Sequence, residues 1–244
     1  MGTTVCPFGF WGLRCVIERK LNDNKESGGK KRKPGSNEPV SGSRKVLKPL
    51  TSVLVGATPK ADAVVASSVS DMLKRIRMID AKAPQVSDWA KWPDEVARAR
   101  PSTLALVVHQ DVDAAGTPEI EIGPPPLLSS DDLDDEYVSA PGNEMPPIVL
   151  LIGCETGKAN ITYENFALRF QWRGAALVVS TIAEVVGRQA APMAADILEA
   201  IQRVNKPTSF AVVMRDVRRN LLAAGTPMVL GLVADGDADW DIVG

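Results

Sequence analysis

Two apolar runs of strand length each end at a side chain that can take part in catalysis. Residues 103–108 lead into His109, the chain's single histidine, and residues 148–153 lead into Cys154. An imidazole can take up the proton of a thiol, so this pair is the minimum set of groups for a cysteine nucleophile. The two runs therefore predict a catalytic thiol, provided that the fold brings the two strand ends together.

A shared edge of a parallel sheet would bring them together, because ligands of open α/β sheets bind beyond the carboxyl ends of the strands. In that arrangement His109 acts as the general base and Cys154 as the nucleophile. Backbone N–H groups of Gln110 and Cys154 are the expected oxyanion donors. Gly153 allows the backbone to pass close to a substrate because it has no Cβ.

The rest of the chain predicts an α/β fold that supplies such an edge. Further apolar strands are expected at residues 50–57, 175–182 and 227–233, and helices at 58–76, 87–100, 165–173, 188–204 and 210–224. Apolar, non-alternating strands separated by helices are typical of a mainly parallel sheet covered on both faces. Residues 117–123 alternate between polar and apolar and predict an exposed strand that forms a hairpin beside His109. Residues 124–147 are expected to form a loop with one short helix.

Composition divides the chain into three parts. Residues 1–21 are rich in Phe and Trp and are expected to dock on this domain or on an upstream region. Residues 22–46 are rich in Lys, Gly, Ser, Asn and Pro, which predicts a disordered basic linker or insertion. Its run of basic residues at 30–33 is interpreted as a solvated loop, and nucleic acid is not an expected partner. Residues 47–244 are expected to form the folded domain.

The bulk composition is that of an ordinary globular protein. The chain has 244 residues, a formal net charge of −2 and three cysteines. An odd cysteine count does not predict a disulfide framework, and a reducing compartment, the cytoplasm, is the simpler expectation. No apolar run is long enough to span a bilayer, so no membrane association is expected. Cys6 and Cys15 lack the spacing of a zinc site, and no cofactor is predicted.

Several segments resemble one family. Residues 153–157, after a buried strand, resemble the cysteine motif of the bacterial CHAT domain, a caspase-like cysteine peptidase family in the clan of caspases, separase and clostripain. Residues 108–113 and 117–123 resemble its histidine region. Residues 6–14, 52–57, 174–179 and 235–240 are similar to other parts of the family. The resemblance covers residues 1–21 and 47–244, and His109 precedes Cys154 at close to the roughly 50-residue separation of caspases.

The resemblance implies a three-layer α/β/α caspase-like fold with a mostly parallel sheet. It also implies a cysteine endopeptidase in which His109 and Cys154 form the dyad and a protein or peptide is the substrate. Upstream repeat or sensor domains in a longer protein are the partners that it implies. The family usually has glycine after the histidine, where this chain has Gln110. A catalytically degenerate CHAT-like interaction module is therefore the alternative.

Substrate-binding residues are expected at the rim of the site, which carries charges of both signs. The candidates are Asp111, Gly153, Glu155, Glu184 and Arg188. Ile152 is apolar where caspases have a polar glutamine, which disfavours a preference for aspartate. A third interpretation, a flavodoxin-like domain that binds a nucleotide or another small ligand, ranks last because no phosphate-binding glycine loop is present.

Overall fold

The computed structural model describes residues 45–62, 68–143, 145–153, 166–182, 185, 187–236 and 240–244. Five helices lie in these ranges: α1 (Ser68–Ile79), α2 (Trp92–Ala99), α3 (Phe166–Trp172), α4 (Gly187–Gln202) and α5 (Phe210–Ala223). The strands are β1 (Lys45–Leu47), β2 (Val53–Ala57), β3 (Gln85–Val86), β4 (Thr103–Val112), β5 (Pro118–Glu121), β6 (Leu128–Ser129), β7 (Ile148–Gly153), β8 (Leu177–Thr181), β9 (Thr208–Ser209), β10 (Leu232–Gly236) and β11 (Trp240–Ile242). The chain is therefore a mixed α/β protein.

The main sheet has the strand order β10-β8-β7-β4-β2-β3. Strands β3, β2, β4, β7 and β8 pair in parallel with their neighbours, whereas β10 is antiparallel to β8. Strand β5 pairs antiparallel with the end of β4, and β6 pairs antiparallel with β5. The sheet is thus mixed, where the sequence predicts a mostly parallel one. Its two central strands, β4 and β7, are those that lead into His109 and Cys154.

A second, small sheet joins the two ends of the described chain. Strand β11 lies between β1, to which it is parallel, and β9, to which it is antiparallel. Among the described residues, regular structure includes Lys45 and Val46, which precede the predicted boundary at residue 47, because β1 is paired along its length with β11. The predicted docking segment at 1–21 and the linker up to residue 44 lie outside the described residues.

Alternate residues of the strands enter two separate apolar cores, as the two-residue period of a strand requires. One, here called the aliphatic core, packs strand residues such as Val107 and Ile152 against α1, α4 and α5. The other, here called the aromatic core, packs residues such as Leu106 and Leu151 against α2 and α3. Trp89, Trp92, Phe166 and Phe170 supply its aromatic rings. An ion pair between Arg75 of α1 and Glu199 of α4, 2.7 Å between Nε and Oε1, joins two helices of the aliphatic side.

Three local expectations are wrong. Residues 117–123 do not form an exposed strand, because Ile120 and Ile122 are fully buried in the aromatic core. Residues 227–233 do not form one strand: Pro227–Gly231 is a 3-10 helix, and the strand β10 begins only at Leu232. Proline favours a first helical turn because its fixed φ suits that position. The helices expected from residues 58 and 87 instead begin as separate 3-10 turns, Pro59–Asp62 and Trp89–Lys91.

Candidate functional site

His109 lies at the point where β4 extends beyond its neighbours. Strand β7 pairs with β4 up to the pair Val108 and Gly153, and β2 pairs with β4 up to the pair Ala57 and Val107. Val108 is buried, and His109 and Gln110 are half-buried. The imidazole is therefore the first side chain of β4 past the end of the parallel sheet. In the described part of the chain, its ring makes no hydrogen bond.

The N–H and C=O groups of successive residues of β4 point alternately toward β2 and toward β7. This alternation gives the direction of the Gln110 N–H. The Thr103 N–H donates to Ser52 at 3.1 Å and the Val107 carbonyl accepts from the Thr58 N–H at 2.8 Å, so both residues direct their polar groups toward β2. Successive residues of a strand direct these groups to opposite sides. Gln110 comes three positions after Val107, so its N–H is directed toward the β7 side, where β7 has already ended at Gly153.

Glu121 lies directly across from His109 in the antiparallel pairing of β4 with β5. Directly opposed residues have their side chains on one face of the sheet with Cβ atoms about 4.5–5.5 Å apart. The Glu121 residue is only 8% exposed, and two groups donate to its carboxylate. The Thr58 hydroxyl lies 2.7 Å from Oε1, and the Lys60 ammonium lies 2.7 Å from Oε2. A nearly buried carboxylate thus faces the imidazole.

Electrostatics keep this carboxylate ionised. Burial alone would raise the pKa of the Glu121 carboxyl, but hydrogen bonds from Lys60 and Thr58, with the charges of Lys60 and His109, outweigh that effect. The pKa of Glu121 therefore lies below its ordinary value. The site has a fixed negative charge next to the imidazole at neutral pH.

The hairpin that carries Glu121 is held to the domain at two points. The indole N–H of Trp89 donates to the carbonyl of Ile120 at 2.8 Å. Beyond β5, Gly123 passes so close to Ser87 that a Cβ on Gly123 would lie 1.9 Å from the Ser87 carbonyl oxygen. Only glycine allows this approach. The position of Glu121 is thus set by packing as well as by strand pairing.

The predicted substrate-binding residues fall into three groups. Asp111 is exposed at the end of β4, and its carboxylate accepts from the Val112 N–H at 2.9 Å. Gly153 is buried at the end of β7, and its carbonyl accepts a hydrogen bond from the Thr181 hydroxyl of β8. Arg188 lies in the first turn of α4, but its side chain is outside the described residues, as are Cys154, Glu155 and Glu184 altogether.

Sequence reasoning missed the group formed by Thr58, Lys60 and Glu121. Glu121 was assigned to an exposed strand because polar and apolar residues alternate there, a pattern that normally puts the polar side chains in water. A signal was nevertheless present, because Glu121 is flanked on both sides by isoleucines in a predicted hairpin with His109. The strand pairing that follows from such a hairpin would have put the carboxylate opposite the imidazole.

Among the described residues, no cluster of three or more His, Cys, Asp or Glu side chains is placed to hold a metal ion. The helices in the same part of the chain are each too short or too polar to cross a lipid bilayer.

The fold, but not the sequence, is similar to known proteins. No protein-family model matches this chain, and a comparison with curated protein sequences gives no match. Among solved structures, the complex of the Porphyromonas gingivalis RgpB pro- and mature domains is similar, with a TM-score of 0.51 and 11% sequence identity. The similarity covers 78% of this chain and 48% of that chain, so this chain spans about half the length of the RgpB chain. The likeness is therefore one of fold alone.

Proposed function

We propose that this protein is a cysteine endopeptidase of the caspase-like type, with His109 and Cys154 as its catalytic dyad. One observation carries the proposal: Val108 and Gly153 are direct partners in the parallel pairing of β4 and β7. The next residue after each partner is His109 and Cys154. Two adjacent strands therefore lead, in register, into an imidazole and a thiol.

The two-residue period of the strands supports a common face for the two side chains. Val107 and Ile152 both enter the aliphatic core, and they are paired in register. Two positions farther along β4, His109 belongs to the same face, and we propose that the Cys154 thiol lies on it as well. Consecutive Cα atoms are 3.8 Å apart, so Cys154 begins within one residue of the last described pair.

In the proposed reaction, His109 takes the proton of the Cys154 thiol, and the thiolate attacks the carbonyl carbon of the scissile peptide bond. The C–N bond then breaks as the imidazolium gives its proton to the leaving amine, which leaves a thioester on Cys154. A water molecule, deprotonated by His109, attacks the thioester. The acid product and the free thiol are released, so protons and bonds balance over the cycle.

Backbone geometry supports the proposed oxyanion donors, the N–H groups of Gln110 and Cys154. The Gln110 N–H is directed to the β7 side of β4. In β7 the Ile148 N–H is directed to β4, where it donates to Ser102 at 3.0 Å, so a continued alternation gives residue 154 the same direction. The two donors would converge on one point between the strands, as an oxyanion requires. Gln110 supplies this N–H as well as glycine would.

The similarity to RgpB supports the fold on which the proposal depends. RgpB is a gingipain, a clostripain-like cysteine peptidase of the caspase fold. We propose the same three-layer α/β/α arrangement here, since the sheet has separate apolar cores on its two faces. We also propose that the chain is a member of the CHAT family. Its proposed partners are upstream repeat or sensor domains of a longer protein, and its proposed location is the cytoplasm.

Asp111, Gly153, Glu155, Glu184 and Arg188 are the proposed substrate-binding residues. Asp111 is exposed two positions after His109, and Gly153 lies directly before Cys154. Gly153 has no Cβ, so the end of β7 leaves room for a substrate backbone to approach.

A peptidyl acyloxymethyl ketone, which alkylates a catalytic thiol, tests the dyad. The full chain is incubated with a mixture of such probes that differ in the first side chain, and the labelled residue is identified by mass spectrometry. We expect label on Cys154 that disappears in Cys154→Ala and falls at least about a hundredfold in His109→Ala, since general base catalysis contributes roughly 10²–10⁴-fold. Label on Cys6 or Cys15 at the same rate, or label unaffected by His109→Ala, would contradict the proposal.

The second candidate function is a catalytically degenerate interaction module of the same fold. The observation that favours it is the side chain of Gln110, whose Oε1 is buried without a hydrogen-bond partner among the described residues. The CHAT family, which the sequence resembles, usually has glycine at this position. If Gln110→Gly creates probe labelling at Cys154 that the unaltered chain lacks, the natural protein is the degenerate module.

A further inference from the structure

Two side chains, Thr58 and Lys60, contact the Glu121 carboxylate next to His109. Thr58 follows the end of β2, Lys60 lies in the 3-10 helix Pro59–Asp62, and Glu121 ends β5. Thr58 and Lys60 each make one short contact with the carboxylate, and Glu121 lies opposite His109 in the pairing of β4 and β5. This group has no part in the dyad itself.

We propose that Glu121 is a positioning residue, which orients the His109 ring and stabilises the imidazolium that forms when Cys154 gives up its proton. The inference rests on the proposed function, since it assigns a role within the same site. The step it favours is one proton transfer from the Cys154 sulfur to a ring nitrogen of His109. No other bond forms or breaks in that step.

The contacts of Glu121 suit this role. Thr58 occupies one position on Oε1 and Lys60 one position on Oε2, and each carboxylate oxygen can accept a further hydrogen bond. The carboxylate is thus fixed in place but retains capacity for a ring N–H. A carboxylate that accepts from one ring nitrogen determines which nitrogen carries the remaining proton and which is free to act as base.

Because Glu121 is nearly buried, its negative charge can stabilise the His109 imidazolium with little screening by solvent. Its residue is 8% exposed, so solvent screens its charge less than that of Asp111, which is exposed two positions beyond His109. The charge of His109 is the smallest of the contributions that lower the pKa of Glu121, after those of Lys60 and Thr58. Packing through Trp89 and Gly123 holds the carboxylate where it is, so it need not reorganise during the reaction.

Other charged groups near His109 are placed differently. On β4 and β5 these are Asp111 and Glu119, which face each other two pairs farther along the hairpin. On the 3-10 helix they are Lys60 and Asp62, and Asp62 accepts from the Ser68 hydroxyl and the Val69 N–H. Helix α4 also packs against β4, with Arg188 in its first turn. Of the described carboxylates, Glu121 is the one directly paired with His109.

The rate of thiol alkylation at two pH values tests the proposal without a substrate. The full chain carries Cys6→Ser and Cys15→Ser, so that iodoacetamide reports only on Cys154. At pH 6 an isolated thiol, with a pKa near 8.5, is almost entirely protonated, and fast alkylation requires a thiolate–imidazolium pair. At pH 9.5 the thiol ionises without help. We therefore expect Glu121→Gln to slow alkylation at pH 6 by roughly three- to tenfold and to leave the rate at pH 9.5 unchanged.

The control is Glu119→Gln, the same substitution two residues away on the same strand, opposite Asp111 instead of His109. It should keep the rate at pH 6 within about twofold of the parent, because its separation from His109 is the diagonal one of about 7–8 Å. Equal rates for folded Glu121→Gln and Glu119→Gln at pH 6 would overturn the role of Glu121. If His109→Ala also leaves the pH 6 rate unchanged, the dyad itself, and thus the proposed function, fails.

Lys60→Gln keeps the proposal testable if Glu121→Gln does not fold. The Lys60 side chain is 52% exposed, so its replacement costs little burial. Lys60→Gln removes the positive charge that partly neutralises Glu121, so the carboxylate stabilises the imidazolium more strongly. We therefore expect faster alkylation at pH 6 in Lys60→Gln. An unchanged or slower rate would show that the group only supports the structure.

Discussion

The two apolar cores on either side of the main sheet differ in what they are made of and in what they hold. The aliphatic core joins long helices to the sheet, with Ala190, Ala191, Ala194 and Ala195 of α4 among its members. The aromatic core has short helices and includes four large rings together with Ile120 and Ile122. The first core builds the scaffold, and the second positions the strand that faces His109.

The difference has a physical reason. Alanines let a helix approach a sheet closely and bury much backbone, which favours long, regular elements. Tryptophan buries a large area and needs a partner for its N–H, so its position fixes a particular carbonyl. Trp89 and Trp92 donate to the carbonyls of Ile120 and Tyr137, each at 2.8 Å. The aromatic core thus specifies loop and hairpin positions that helix packing alone does not.

The largest expected effect is that of Trp92→Ala. Trp92 is fully buried, and its loss should lower the free energy of unfolding by about 3–5 kcal/mol. Leu198→Ala, at a fully buried residue of α4 in the aliphatic core, is the matched variant and should cost about 2–5 kcal/mol. Urea unfolding measures both losses. The exchange rate of the β5 amides distinguishes the roles of the two cores. It should increase more in Trp92→Ala than in a Leu198→Ala variant of equal stability. Equal increases would contradict the division of roles.

A smaller effect is expected where the sheet approaches the aromatic core most closely. A Cβ on Gly56 of β2 would lie 2.9 Å from Leu106 Cδ2 and 2.9 Å from Trp92 Cζ3. Gly56→Ala should therefore overpack the site and destabilise the protein by about 1–3 kcal/mol, measured by urea unfolding. Leu106→Ala makes room, so the double variant should lose less stability than the sum of the single losses. Strict additivity would show that a Cβ on residue 56 and the Leu106 side chain do not compete for the same space.

The elements that could be predicted from sequence are those whose signal is local. Residues 103–108 and 148–153 are long apolar runs, and both lie in strands at the centre of the sheet. The helices α3 and α5 lie within the predicted ranges, because Gly174 and Gly225 have positive φ just beyond their ends.

The elements that could not be predicted depend on tertiary context. Residues 227–233 contain enough apolar side chains for a strand, but the strand β10 is displaced by five residues because a 3-10 helix begins at Pro227. The environment of Glu121 depends on Thr58 and Lys60, which are about sixty positions away in the chain. The sequence predicts that the strand ends at His109, but β4 continues to Val112 because its last residues pair with β5. The hairpin with β5 is predicted, while Cys154 as the dyad partner stays a proposal.

Trp89→Phe tests the hydrogen bond through which the aromatic core fixes the hairpin. The variant keeps a ring but leaves the Ile120 carbonyl without its donor, which should cost about 1–2 kcal/mol. Trp92→Phe loses an equivalent bond to Tyr137, outside the hairpin, and is the control. We expect faster exchange of the β5 amides in Trp89→Phe alone. If both variants change β5 equally, the bond to Ile120 has no special part in positioning the hairpin.

The smallest expected effect is a dependence of stability on pH that comes from Glu121. Its pKa is lowered in the folded protein, so the folded state binds fewer protons than the unfolded state near the ordinary carboxyl value of about 4.3. The resulting stabilisation is present above that value and is lost as the pH falls through the folded-state pKa. The stability advantage of the natural protein over Glu121→Gln, measured by urea unfolding, should therefore narrow between pH 7 and about pH 3. Glu119→Gln, on the same strand, measures how much of the narrowing any glutamate of β5 produces. A gap between the natural protein and Glu121→Gln that stays constant, or widens in acid, would mean that Lys60 and Thr58 do not hold Glu121 as a carboxylate.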